Sequence, residues 1–260
     1  GLWVLKTALE QCRIWRESLP DLHMSVNISY VQLDQENITQ QVLVVVEHSG
    51  LSGDALTLEV TESMQLQDYS RFNRMFYRWK AAGIEINEFY MPGMGGREYA
   101  RQSALDTADV MNQVNPDFIR IRSMALAENL EMYEDYETGL LTRPNDVETI
   151  GEIRLFLENL HGITSWVDSD HILNILLELK GRLPQDKDRM LALIDRFLDL
   201  PEDQQMLFRL GRRLGLMGQL RDLSNQVLVD KVKQTMDQAN IDKTNIDAVC
   251  DRLMIRAIPI

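Results

Sequence analysis

Cysteine is nearly absent from this chain. Cys12 and Cys250 stand at opposite ends of its 260 residues. Neither belongs to a Cys-x-x-Cys pair, which excludes a zinc site of that kind and any disulfide framework, and points to a reducing compartment. Positive charge is also scarce: 27 Lys and Arg against 40 Asp and Glu leave a net −13 at pH 7. No cationic surplus exists to displace counterions from phosphates, so no DNA or RNA partner is expected. Docking on an anionic membrane is not expected either. Long apolar runs are missing as well; the densest, Val42 to Val46, is far too short to span a bilayer. The opening GLWVLKTALEQC has no signal-peptide pattern and leads straight into a helix. These absences together predict a cytoplasmic location. The first residue is glycine, not methionine, and an excised segment with missing upstream sequence is expected.

What is present is an alternation of strand and helix patterns. Leu5–Leu19 reads as a helix, with Leu5, Leu9, Cys12 and Leu19 near one face, stopped by Pro20. His23–Tyr30 alternates as a strand, and Glu36–Gly50 reads as a helix, although its VLVVV run leaves strand as the alternative. Ala55–Ser63 is a second strand and Asp68–Ala82 a helix capped by Asp68. A short strand at Ile84–Phe89 leads into a turn containing Pro92, Gly93, Gly95 and Gly96, and then into a helix over Arg97–Val114. Asp117–Ser123 is a strand, Leu130–Asn145 a loop, and Asp146 caps a helix ending near Leu160. Ile163–Val167 is a last short strand. Asp170–Lys180, Lys187–Leu198, Asp203–Leu214 and Asn225–Asp237 all read as helices. Helices between strands imply right-handed crossovers and parallel pairing. The fold class expected is α/β: a partial or open (β/α) barrel of about five parallel strands, followed by a C-terminal helical extension.

In such a fold, ligands gather at the carboxyl ends of strands. Asn27, in VNIS, and Glu59, in LEVTES, both lie there and can offer oxygen to a hard cation. The competing reading is that Asn27 and Thr61 bond local backbone and that Glu59 and Glu62 are solvated. The glycine turn has two readings of its own. Its amides can face a polar ligand at a helix start, or it can simply connect strand to helix. Arg120 and Arg122 alternate onto one side of their strand, facing either the centre or salt-bridge partners. The cluster Asp168-Ser169-Asp170-His171 reads as a helix start rather than a metal motif.

The stretches ALEQCRIWR, SVNISYVQL, SGLSGDALTLEVTES and WKAAGIEI, in that order, closely resemble the EAL family of cyclic di-GMP phosphodiesterases over about Leu5–Ile86. The resemblance implies a (β/α) barrel that hydrolyses a cyclic dinucleotide with two divalent metals. It implies Mg²⁺ or Mn²⁺ as cofactor, Asn27 and Glu59 as metal ligands, and Glu62 as a supporting acid. The family's Glu-Ala-Leu stretch would precede residue 1. Its paired aspartates would follow Ile86, where this chain has Asn87 and Glu88, a degenerate pair set off by a gap. The lysine of the family's next strand falls near Arg120.

From Gly83 onward the chain resembles the carboxyl-terminal half of radical SAM enzymes. The pieces are GIEINEFYMPGMGGRE, ALDTADVMNQVNPDFIRIRSMAL, MYEDYETG, EIRLFLENL, SDHILN, GRLPQDKDRMLALIDRFL and LFRLGRRLG. That resemblance implies Gly93, Gly96 and Glu98 beside the adenosyl portion of S-adenosylmethionine. An iron–sulfur cluster is not expected, because three closely spaced cysteines are lacking. The chain therefore reads as a hybrid: residues 1–83 an EAL-like partial barrel, 84–170 a radical SAM-like segment, and 171–260 a helical extension. With both sites incomplete, little or no activity is expected of the isolated chain. Cyclic dinucleotide or S-adenosylmethionine are the small-molecule partners implied.

Overall fold

A computed structural model describes residues 1–61, 69–126, 128, 130 and 132–257. The expected capping role of Asp68, and Glu62, lie outside them. The order begins α1 (Leu2–Arg16), β1 (Met24–Ser29), α2 (Tyr30–Leu33), α3 (Ile38–Ser49), β2 (Leu56–Thr61), α4 (Tyr69–Ala81) and β3 (Glu85–Tyr90). It continues with α5 (Gly96–Val114), β4 (Phe118–Ile121), α6 (Met132–Glu137), α7 (Asp146–Glu158), β5 (Trp166–Asp168) and β6 (Lys180–Arg182). Four helices follow: α8 (Lys187–Leu198), α9 (Glu202–Arg213), α10 (Gln226–Ala239) and α11 (Ile246–Arg256). The fold is α/β, with a six-stranded sheet in the order β1-β2-β3-β4-β5-β6. β1 pairs β2 in parallel, and β2 pairs β3 in parallel. Among the described residues no helix is long and apolar enough to cross a membrane.

The chain divides into two compact units. The first comprises Gly1–Phe89, Met111–Ile119 and Ile163–Ser165. Its core joins Leu5 and Leu9 of α1, Val26 and Ile28 of β1, Leu58 of β2, and Phe76 and Trp79 of α4. Cys12 is buried with its helix neighbours, whereas Leu19 lies beyond α1 and is exposed. The run VLVVV is helical. Val42 and Val46, four residues apart, both reach the core together with Ile38. That shared face outweighs the strand preference of β-branched residues. Gly83 stops α4 with φ of 84°. Its N–H donates to the carbonyl of Lys80 at 2.9 Å and that of Ile84 to Trp79 at 3.1 Å. These two bonds form a Schellman motif, closed by the buried pair Trp79 and Ile84.

The second unit comprises Tyr90–Val110, Arg120–Gly162 and Trp166–Ile260. Two expectations fail here. Asn145, not Asp146, caps α7. Its side chain accepts from the amides of Val147 and Glu148, both at 3.0 Å, while Glu148 bonds back to the Asn145 amide at 2.8 Å. Asp146 is instead buried between Arg209 and Arg213. The arginines' position in the fold was invisible to a local capping rule.

The second failure is larger. The segment 170–180 is not a helix but a run of turns ending in β6, which pairs antiparallel with β5. The sheet therefore has six strands rather than about five, and not all are parallel. The cause is tertiary. Asn174 is buried and donates to the carbonyl of Ile121 and to Ser169 Oγ, each at 2.8 Å. Arg212 takes the carbonyls of Ile172 and Asn174, and Arg213 that of Leu173. Those carbonyls are satisfied without a helical ladder. A short helix, α6, also stands within the stretch read as a loop. Beyond Arg221, α10 and α11 pack on α9, burying Val229, Val232, Ile246 and Cys250.

Candidate functional site

The parallel register of the first unit gathers the polar groups. Asn27 pairs with Glu59, and Glu59 with Asn87. Residues level with one another on neighbouring strands share a face, so these three form one row. The opposite face carries Val26, Ile28, Leu58 and Ile86 into the core. One position along, Thr57 Oγ1 donates to Glu85 Oε2 at 2.9 Å on the same face as the row. The strands are thus amphipathic in the ordinary alternating sense, with the polar side supplied by Asn27, Glu59 and Asn87.

The row runs from exposed Asn27 through half-buried Glu59 to Asn87, which is only 2% exposed. Asn87 Oδ1 has no hydrogen-bond partner. A buried carboxamide oxygen left unsatisfied costs free energy on the order of 1–3 kcal/mol unless something binds it. Glu88 turns to the other face, level with Val60. Its side chain is partly accessible, yet burial of the carboxyl pushes its pKa up to about 8. The sequence pair Asn87-Glu88 is therefore split by the pleat, and Asn87 stands level with Glu59 with no gap in the pairing.

The donor set fits a hard cation by type, since all three side chains offer oxygen. It falls short in charge, because only Glu59 is a carboxylate. Among the described residues, no three His, Cys, Asp or Glu side chains are placed to hold a metal ion.

Gly93, Gly96 and Glu98 lie in the second unit. Gly93 N–H donates to Glu152 Oε2 at 3.0 Å, and Tyr90 Oη donates to Glu152 Oε1 at 3.1 Å. Glu152 is 4% exposed, and burial, partly offset by these two donors, leaves its pKa raised to about 7. Tyr90 also stacks on Phe156 at 3.9 Å between ring centres. Gly96 has φ of 60°, and a Cβ there would meet Glu98 Oε2 and Leu141 Cδ1, each at 2.5 Å. Glu98 accepts from the Thr142 amide at 3.1 Å, and hydrogen bonds from the Thr142 side chain first, then from its own amide and that of Thr142, lower its pKa. The turn is thus clasped by its own chain. Beside Gly93 a cavity of about 20 Å³, lined by Pro92, Arg143, Asp146, Thr149 and Asp251, has room for a single water. Glu152 carries no local sequence signal as the partner of this turn; it sits 59 residues from Gly93.

Residues 1–87 match the EAL domain family model. Curated relatives agree in extent. An uncharacterized signaling protein of Caulobacter vibrioides is 36% identical over 86 residues, 33% of this chain and 10% of that protein. Signaling protein YkoW of Bacillus subtilis is 28% identical over 87 residues, 34% of this chain and 11% of its own length. Oxygen sensor protein DosP of Escherichia coli is 29% identical over 115 residues, 42% of this chain and 14% of its own. The chain therefore spans between 10% and 14% of the length of these relatives. Among solved structures, the PaMucR phosphodiesterase in complex with c-di-GMP superposes with a TM-score of 0.36 at 20% identity, over 55% of this chain and 66% of that one. The EAL enzyme Bd1971, with cAMP and cyclic-di-GMP bound, gives 0.35 at 18% identity, over 55% of this chain and 46% of that one.

Proposed function

We propose that residues 1–87 are an EAL-like segment that binds a cyclic dinucleotide through a divalent cation, Mg²⁺ or Mn²⁺. Asn27 and Glu59 are its oxygen donors and Asn87 completes their row. The observation that carries this reading is the level register of the three side chains with an unsatisfied, buried oxygen at Asn87. The EAL match over residues 1–87 supports it independently, and the cyclic dinucleotide follows from that likeness. Bound at the row, the cation would polarise a phosphoryl oxygen as a Lewis acid. Asn27 and Asn87 bring dipoles rather than charge, so Glu59 alone neutralises it. Weak cation binding and slow or absent hydrolysis follow, with ligand binding the surviving activity.

Calorimetry on the full chain tests this, with Mn²⁺ alone and then cyclic di-GMP in the presence of Mn²⁺. Saturable heats are expected for the parent. Glu59→Ala is expected to abolish them while circular dichroism stays unchanged. No heat in the parent, or equal heats in the variant, sinks the reading.

The radical SAM reading of residues 84–170 has no comparable support. The Gly93 amide bonds Glu152, and the Glu98 carboxylate bonds Thr142. S-adenosylmethionine at Gly93, Gly96 and Glu98 stands on the resemblance alone.

A further inference from the structure

The outer face of α4 is basic and aromatic. Phe72, Met75, Phe76 and Trp79 point into the core of the first unit. Helical spacing of three and four residues sets Arg74, Tyr77 and Arg78 side by side on the opposite face. Both arginines are exposed, and Tyr77 is 76% exposed. α4 contains no Asp or Glu, in a chain that has 40 of them, so nothing along the helix offsets this charge. The face borders an open groove of about 800 Å³, which lies wholly within the first unit. Gln113 and Asn115, at the end of α5, line its other wall. The two walls are tied together: Asn73 Nδ2 donates to Gln113 Oε1 at 3.3 Å, and Lys80 Nζ donates to the Asn115 carbonyl. Lys80 also lies 3.4 Å from Asp117 Oδ1, so its charge is answered. Arg78 differs. Its Nη2 donates to the neutral Gln40 amide at 3.0 Å, and its charge is left on the groove.

The complement of this groove is on the same chain. The stretch 128–137 contains no Lys or Arg. Its Glu128, Glu134, Asp135 and Glu137 are exposed, the last three on α6. Among the described residues, no cation pairs with any of these carboxylates. We infer that the groove along α4 docks residues 128–137 of a second copy of this chain. The guanidiniums of Arg74 and Arg78 suit carboxylates, which they can hold by two parallel N–H bonds. Tyr77 on one side and Tyr136 on the other, the latter 41% exposed, add aromatic area. Arginine and tyrosine are the residue types that anchor protein interfaces. Two copies at −13 each repel overall, so a local match of opposite charge is what draws them together, and salt weakens it. Each copy carries both halves, so the contact is head-to-tail and mass grows with concentration. The groove owes nothing to the row at Asn27, Glu59 and Asn87, and stands or falls apart from it.

Sedimentation velocity on the full chain tests this, at about 50 mM and about 500 mM NaCl. At low salt the mass is expected to exceed that of the monomer and to rise with protein concentration. At high salt it returns to the monomer. One double variant reverses the groove, Arg74→Glu with Arg78→Glu. A second reverses the acidic stretch, Glu134→Lys with Asp135→Lys. All four side chains are exposed, and circular dichroism checks that each variant folds. Each alone is expected to associate at least about tenfold more weakly than the parent. An equal mixture of the two regains association, because each supplies the half that the other has lost. A parent that stays monomeric at low salt overturns the contact, as does association that survives either reversal. A mixture of folded variants that stays monomeric overturns it too.

Discussion

Glu59 and Asn87 stand directly across from each other on adjacent parallel strands, one carboxylate beside one buried carboxamide whose oxygen has no partner. That pairing makes Asn87 the position where charge and cation binding are most tightly linked. Asn87→Asp adds a second carboxylate beside Glu59. Without cation, a like-charge pair with one member buried should lower the unfolding midpoint. With Mn²⁺ the same variant should bind about tenfold more tightly than the parent, a gain on the order of 1.4 kcal/mol. Thermal unfolding with and without Mn²⁺ reads both effects. A variant that loses stability without gaining cation affinity removes Asn87 from the site.

Two carboxyls should make stability depend on pH in an unusual direction. Burial raises Glu88 to about 8 and Glu152 to about 7. Each binds its proton more tightly folded than unfolded, so stability is fullest below the unfolded value near 4.5 and falls as pH climbs through 7 and 8. Glu152→Gln should remove a share of that fall that ends near pH 7, and Glu88→Gln a share that runs on to about pH 8. The expected size is on the order of 2 kcal/mol per group. Urea unfolding from pH 5 to 8.5 measures it, and a parent curve that rises across this window contradicts both assignments.

Asp146 is expected to be a costly position. It lies between Arg209 and Arg213, which are each about 95% buried at the side chain. The opposing effects of burial and two guanidiniums leave its carboxyl below the usual range. Asp146→Asn strands buried cations and should destabilise the chain by roughly 3–5 kcal/mol. Arg209 also pairs with Asp247, so a double substitution at 146 and 247, which leaves its guanidinium without either carboxylate, should cost more than the sum. Chemical denaturation of the single and double variants decides.

Asn174→Ala removes two bonds that hold the 169–174 turn to the end of β4 and one to Ser169 within the turn. A loss of roughly 2–3 kcal/mol is expected from the buried groups left unsatisfied. Hydrogen exchange at Ser123 should rise sharply, because its amide loses its acceptor. Unchanged protection at Ser123 would show that the turn is fixed by other means.

Much of the fold was legible because periodicity is a local property. Strand alternation located β1, β2, β3 and β4 within a few residues, and the helical spacing of Leu5, Leu9 and Cys12 selected the face that α1 buries. Asn27 and Glu59 interrupt their strands as polar residues, and the register sets them level with each other. Asn87 was harder. In the sequence it is half of a displaced acidic pair; in the sheet it is level with Glu59, while Glu88 faces the core.

What the sequence determined by itself is the alternation of strands and helices, the acidic surface, the lack of a cysteine cluster site, and the EAL likeness of the first third. These depend on residue type and near neighbours. Only the tertiary structure decided that Asp146 is an ion-pair partner rather than a cap, and that 170–180 is a turn and a strand rather than a helix. It also placed the glycine turn over Glu152 and Asp170 against Arg120. Each depends on groups dozens of residues away, so the strongest local pattern gives way wherever a distant arginine, asparagine or carboxylate satisfies the backbone or charge first.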